Sequence, residues 1–221
     1  MKQYVPLLLS LSLCIGCAKK EPLYQGKAAG QWTSELKAPD AKARRTAAGA
    51  LAALKAKPAV PDLIAALKDQ DPGVRAGAAE ALWSIGPDAR DAVPNLTTAL
   101  ADPIADVRLN AAGALGEIGA PAHSAIPAVN GLLKDRDGNV RVSAAQALAK
   151  FGPEARSAVP ALTEALRDRE KPMRVAAAYT LAAIGRDANA AVPALRSLAK
   201  EKDGDVCTAA AYAIKQIEGG K

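Results

Sequence analysis

Apolar residues return along this chain at helical spacing, in short runs that are broken at regular intervals. In "VPDLIAAL", Val60, Leu63 and Leu67 fall on one face of a helix. Pro61 sits in the first turn, where its missing N–H costs nothing. "KDQDPG" then brings Asp, Pro and Gly together and breaks the helix. "VRAGAAEALWSIG" starts a second one. Its Val74, Ala78, Ala81, Leu82 and Ile85 line one face, and Gly86 followed by Pro87 stops it. The pattern predicts two antiparallel helices joined by a tight turn, and no strands.

The same text recurs. Val60-Pro61 returns as Val93-Pro94, Ile126-Pro127, Val159-Pro160 and Val192-Pro193, 33 residues apart each time. Ile85-Gly86 returns in step as Ile118-Gly119, Phe151-Gly152 and Ile184-Gly185, and ends as Ile217-Glu218. A shorter copy runs from about Lys27 to Lys57, with Trp32 and Leu36 in the places of Leu63 and Leu67. Trp32 is thereby assigned to the core. Six copies fill residues 27–218, and 219–221 form a tail. One helix pair cannot bury its own apolar face, so the pairs must stack. Ala79, Ala112, Ala145, Ala178 and Ala211 are small enough to let stacked helices approach closely.

The recurrent phrase "AVPxLxxALxDxDxxVRxxAAxALxxIG" resembles the HEAT-like repeat, in the subtype first described in phycobilin lyases. The resemblance covers Lys27 to Glu218. It implies an all-α, right-handed α-solenoid of six two-helix repeats, whose second helices line a concave surface where partners bind. A shared fold names no reaction.

Residues in register form rows along such a stack. One row reads Arg44, Arg75, Arg108, Arg141 and Arg174; another, in the turns, reads Asp69, Asp102, Asp135, Asp168 and Glu201. Acids and bases recur in equal step, and Arg suits bidentate pairing with carboxylates. These rows predict a structural ladder rather than a stripe that grips phosphates. A third row, Glu80, Gly113, Gln146, Tyr179 and Tyr212, points outward from the second helices. It places Tyr179 and Tyr212 side by side, and exposed aromatics make good interface anchors. Trp83 lies in a neighbouring row and faces Gly116 of the next repeat. Glu80, Trp83, Gln146, Tyr179 and Tyr212 are the candidate partner-binding residues.

Composition sharpens this picture. Half of the 221 residues are hydrophobic, yet there are only two Trp, four Tyr and one Phe, so the core is built of Ala and Leu. The formal net charge of +6 comes from 29 basic and 23 acidic residues mixed along the chain, without a Lys/Arg block, so no nucleic-acid partner is expected. The first seventeen residues, "MKQYVPLLLSLSLCIGC", place one Lys before a short apolar run, too short to span a bilayer comfortably. The ending "LCIGC" resembles the lipobox of bacterial lipoprotein signals, with Cys14 where that family has Leu. The resemblance implies a signal peptide at 1–16, a lipidated Cys17, and a polar tether over 17–26. It places the protein on the periplasmic side of a bacterial envelope, with the outer membrane preferred by analogy.

Chemistry is sparse. After cleavage and lipidation only Cys207 remains free, so no disulfide framework and no cysteine metal cluster is expected. The single histidine, His123 in "PAHSAIP", reads as a solvated loop side chain. No "HE" pair of the iron-binding HEAT-like branch occurs, and no catalytic constellation surrounds the acids and serines. No cofactor or metal is expected. The reading is a non-catalytic envelope scaffold or adaptor that binds a protein partner and sits on a membrane surface through its N-terminus. An accessory subunit of a bilin-lyase-type enzyme and a phosphate- or nucleic-acid-binding solenoid are the alternatives.

Overall fold

The computed structural model describes residues 21–219; the signal segment, Cys17 and the start of the tether lie outside them. Twelve α-helices among the described residues form six pairs. They are α1 (Ala29–Glu35) with α2 (Ala41–Leu54), α3 (Val60–Ala66) with α4 (Pro72–Ile85), and α5 (Val93–Ala99) with α6 (Ala105–Ile118). Then come α7 (Ile126–Gly131) with α8 (Gly138–Phe151), α9 (Val159–Ala165) with α10 (Lys171–Ile184), and α11 (Val192–Leu198) with α12 (Gly204–Gly219). In each pair a helix of two turns precedes one about twice as long.

Local sequence sets these boundaries. Asp40, Asp71 and Asp137 stand at the N-caps of α2, α4 and α8, where each side chain accepts a first-turn N–H. Gly86, Gly119, Gly152 and Gly185 end α4, α6, α8 and α10 with φ of +60° to +74°. Their ψ near −135° belongs to a region that a Cβ makes prohibitive, so these positions demand glycine. The first pair lacks this glycine and ends at Lys55, in the left-handed region.

The long helices pack side by side in the order α2, α4, α6, α8, α10, α12, and each short helix lies on its own partner. Leu63, Leu82, Leu96, Leu115, Leu148 and Leu162 are fully buried between the two layers. Burial of each contributes about 1.5–3 kcal/mol. Ala78, Ala79, Ala111, Ala112, Ala144 and Ala145 have no exposed surface and let adjacent long helices close up. Polar side chains also cross the seams. Asn110 donates to the Ala76 carbonyl, Ser143 to Leu109 and Thr180 to Ala145, at 2.8–3.1 Å. The buried apolar residues form one continuous cluster from Trp32 to Ile217.

Three features differ from the sequence expectations. First, strands are present: β1 (Leu23–Tyr24) and β2 (Lys27–Ala28) pair antiparallel. Gln25 and Gly26 between them both have positive φ, as a two-residue hairpin turn with the right twist requires. Second, this hairpin reaches into the expected tether. The Tyr24 carbonyl accepts the Trp32 indole N–H at 3.2 Å, and the Tyr24 ring meets Trp32 edge-on. Residues from Leu23 onward thus belong to the fold. Third, the connectors after the long helices are not open loops. Gly86–Ala92, Ala120–Ala125, Gly152–Ala158 and Gly185–Ala191 are 3₁₀ segments with buried alanines. Among the described residues, no helix is long and apolar enough to cross a membrane.

Candidate functional site

The ladder residues meet across every seam. Arg75 donates through Nε and Nη2 to Asp102, Arg108 to Asp135, and Arg141 to Asp168, with the Nε contacts at 2.7–2.9 Å. Arg44 holds Asp69 in the same fork. The third nitrogen, Nη1, turns back to the turn carbonyls of its own repeat: Arg75 to Asp69, Arg108 to Asp102, Arg141 to Asp135 and Arg174 to Asp168. Each Asp also accepts the backbone N–H two residues on. Every rung therefore ties a long helix to its own turn and to the turn of the following repeat. Arg108 and Asp135 are each only 8% exposed.

The environment polarises these carboxyls. The Arg44 hydrogen bonds hold Asp69 below the usual carboxylate range. Burial pushes Asp102 and Asp135 up, but the Arg75 and Arg108 bonds together with the Ile104 and Asp137 N–H groups outweigh it, and both end below the usual range. Burial likewise opposes Asp168, where the Glu170 N–H and Arg141 prevail. The last rung is weaker. Arg174 reaches Glu201 through a single 3.5 Å contact, and its Nε has no hydrogen-bond partner among the described residues. Both ends of the ladder are blank: Ala38 stands in the acid position of the first repeat, and Cys207 in the arginine position of the last. Cys207 is a half-buried free thiol. With every rung internally paired, the arginine row is not a free surface for phosphates.

The outward rows of the long helices hold the candidate binding residues. Tyr179 on α10 and Tyr212 on α12 are each 46% exposed, with ring centroids 5.6 Å apart. Glu80 on α4 and Gln146 on α8 are exposed, and Trp83 is half-buried. Trp83 does not fill the space over Gly116. Its ring lies on Gly113, where a Cβ would come within 2.9 Å of three ring atoms. Gly116 instead faces α8, where a Cβ would sit 2.8 Å from the Ala147 Cα. Two glycines on α6 thus make room for a wall and for a neighbouring helix.

The result is a trough. A cavity of about 320 Å³ opens beside Trp83, Gly116, Gln146 and Ala149. A second, of about 300 Å³, shares Gln146 and Ala149 and runs on to Val175 and Tyr179. An apolar floor of small side chains therefore links the Trp83 wall to the tyrosine pair. Glu117 and Lys150 pair at 3.1 Å along its border. The sequence rows did not reveal this border pair, nor Arg45 with Asp71, nor Lys171 between Asp203 and Asp205. Glu117 and Lys150 share one row, 33 residues apart, but Ser84, Ala183 and Gln216 in that row are uncharged, and the other pairs likewise occur once, so no recurrence marks them. His123 is not fully solvated: it is half-buried and meets Phe151 edge-on at 5.7 Å.

A family model described as HEAT repeats matches residues 31–104 and 127–215, and a second HEAT-repeat model matches 92–120. No curated protein sequence matches the chain. Among solved structures, one engineered protein superposes with a TM-score of 0.71 at 26% identity, covering 87% of this chain and 97% of that one. A designed armadillo repeat protein in complex with the peptide (KR)4 gives 0.74 at 19% identity, covering 86% and 100%. The complex of CpcE and CpcF of phycocyanin lyase from Nostoc sp. gives 0.66 at 24% identity, covering 91% and 82%. The last two likenesses are of fold alone.

Proposed function

The chain belongs to the HEAT-repeat family, and from that premise we propose that it is a non-catalytic scaffold or adaptor of the bacterial cell envelope. In this reading Cys17 carries lipid on the periplasmic side of the envelope, and the solenoid holds a protein partner along its long-helix face. The observation that carries the reading is the trough from Trp83 to the Tyr179–Tyr212 pair. Of the four exposed large hydrophobic side chains among the described residues, Tyr179 and Tyr212 stand together at its end, whereas Leu23 and Ile104 lie singly, in the hairpin and in a turn. A structural neighbour that holds a peptide supports the same mode of binding. Peptide or protein binding requires no titratable constellation, which suits a face of Trp, Tyr, Gln and small residues.

Photo-crosslinking in the source cells tests the proposal. A benzophenone amino acid at Gln146 is expected to trap one protein partner, and the same group at Ala194, on a short helix, is not. Tyr179→Ala/Tyr212→Ala is expected to abolish that product. Equal trapping from both faces would sink the reading. So would a tetrapyrrole titration that changes absorbance with the purified protein, since that outcome replaces the scaffold by a bilin-handling subunit. Cys17→Ser is expected to release the protein from the membrane fraction; retention would remove the anchor.

A further inference from the structure

The turns between short and long helices carry a second repeating pattern, beside the ladder. The residue before each ladder-acid position, the first of which is Ala38, reads Lys37, Lys68, Ala101, Lys134, Arg167 and Lys200. The residue after it is basic in the last three repeats, at Arg136, Arg169 and Lys202. The last three turns thus present six cations, and all six are exposed. Of the acids among them, Asp135 and Asp168 are turned inward, while Glu201 and Asp205 stay exposed but each meets a cation. Arg108, Arg141, Arg174, Lys171 and the first N–H groups of α8 engage every acidic side chain of these turns. Arg167, Lys200 and Lys202 have no ion pair among the described residues. Lys134 meets Glu164 at 3.0 Å, but both are about 70% exposed, and such a pair contributes little.

A cavity of about 540 Å³ opens on this edge between the fourth and fifth repeats. Lys134, Arg167 and Arg169 stand around it with the exposed Glu164, over a floor that includes Leu133, Ala161 and the paired Arg141 and Asp168. Arg169 touches Glu170 only at 3.5 Å. The opposite edge, made by the 3₁₀ connectors, mixes its signs: Asp88 with Arg90, Glu154 with Arg156, Arg186 with Asp187. The surplus positive charge is therefore confined to one edge and to the C-terminal half.

We propose that this edge binds an extended acidic segment of a protein partner, one carboxylate seating between Lys134, Arg167 and Arg169. Adjacent repeats are roughly 10 Å apart, the usual spacing of packed helices. An extended chain advances about 3.3 Å per residue. An acidic residue at about every third position therefore stays in register with the repeats. A nucleic acid fits less well, because these turns carry no aromatic side chain on which bases stack. A lipid surface also fits less well, because these turns expose no large hydrophobic side chain to enter a bilayer. This edge is separate from the trough, and its proposal stands or falls independently.

Fluorescence anisotropy tests it, using the full chain in an uncharged detergent and a labelled poly-glutamate peptide. Arg167→Glu/Arg169→Glu/Lys202→Glu is expected to weaken binding by more than about tenfold, as removal of complementary charge does. Arg90→Glu/Arg156→Glu/Arg186→Glu changes the net charge equally on the opposite edge and is expected to leave affinity within about twofold. Should charge reversal prevent folding, the three Gln substitutions at the same positions give the same comparison. Equal weakening by both triple variants would overturn the proposal, as would absence of peptide binding. Tighter binding of an oligothymidylate or of phosphatidylglycerol vesicles than of the peptide would also overturn it.

Discussion

Consider the rung between Arg108 and Asp135. Arg108→Met keeps the aliphatic stem and removes the guanidinium. Four hydrogen bonds go with it: two to the Asp135 carboxylate at 2.7 and 2.8 Å, and two to the Asp102 and Pro103 carbonyls at 2.8 and 3.2 Å. Asp135 is left buried, with one backbone N–H as its remaining partner. A hydrogen bond to a charged group contributes about 1.5–3 kcal/mol, and breaking a fully buried pair costs about 3–5 kcal/mol. The rung lies at an edge reached by solvent, so the expected loss is about 2–4 kcal/mol. Asp135→Asn keeps the oxygen that accepts the turn N–H, so the double variant isolates the ion pair. The coupling expected between the two substitutions is about 1–3 kcal/mol. Arg174→Met is the internal control. It removes a 3.0 Å bond to the Asp168 carbonyl and one 3.5 Å contact to a 42% exposed Glu201, and predicts a smaller loss of about 1–2 kcal/mol. Urea unfolding followed by far-UV circular dichroism reads all four variants, with the slope checked because repeat arrays lose cooperativity. The reasoning fails if Arg108→Met costs no more than Arg174→Met, or if the coupling is below about 0.5 kcal/mol.

Other outcomes follow from the same geometry. The ladder carboxyls have folded pKa values below the unfolded value of about 3.9, so their stabilisation is complete above that pH and is lost as pH falls through the depressed values. Unfolding temperature measured down a pH series should hold above about pH 5 and drop below about pH 4; a steep loss nearer neutrality would contradict the assignment. Gly119→Ala meets no atom within 4 Å, so its expected cost of about 1–3 kcal/mol is pure backbone strain at φ +72°. Gly49→Ala, inside α2 and equally open, should instead stabilise by about 0.5–1 kcal/mol; similar values for the two would refute the strain argument. Gly113→Ala should lift Trp83 off α6 and red-shift its emission in a Trp32→Phe background, and an unchanged spectrum would mean that the ring does not rest there. Deleting residues 200–221 uncovers the apolar face of α10, including Met173 and Leu181, and should produce aggregation by light scattering; a soluble, helical truncation would count against the last repeat as a cap.

Phase made most of this legible in the chain. Residues that recur every 33 positions stack, so Val74, Leu82 and Ile85 could be placed inside, and Tyr179 beside Tyr212, before any coordinates. Direction was harder to read than position. Trp83 and Gly116 occupy the same level of successive parallel helices, yet the ring lies on Gly113. Helical side chains lean toward the N-terminus of their own helix, by about one turn for a residue as large as Trp. The hairpin was illegible for another reason. Its turn puts Gln25, rather than Asn or Gly, at positive φ, and each strand has two residues, too few for alternation to show. The 3₁₀ connectors have their buried alanines in phase, but Pro and Gly beside them signal breaks more strongly than the alanines signal structure. The basic edge escaped notice because its cations alternate with acids. Only coordinates separate charges that turn inward from those that stay in solvent.

Each arginine of the ladder reaches forward, never back. An interior unit carries one donor for its successor and one acceptor for its predecessor, so a tandem duplication of such a unit brings a complete rung with it. The stack can therefore change length by whole units of 33 residues without leaving a buried charge alone. The terminal units are different parts. Ala38 offers nothing for an earlier arginine to grip, and Cys207 has nothing to extend toward a later acid. A second molecule arriving end to end finds neither half of a rung, so the feature that makes the solenoid extensible by inheritance offers no ion pair to association.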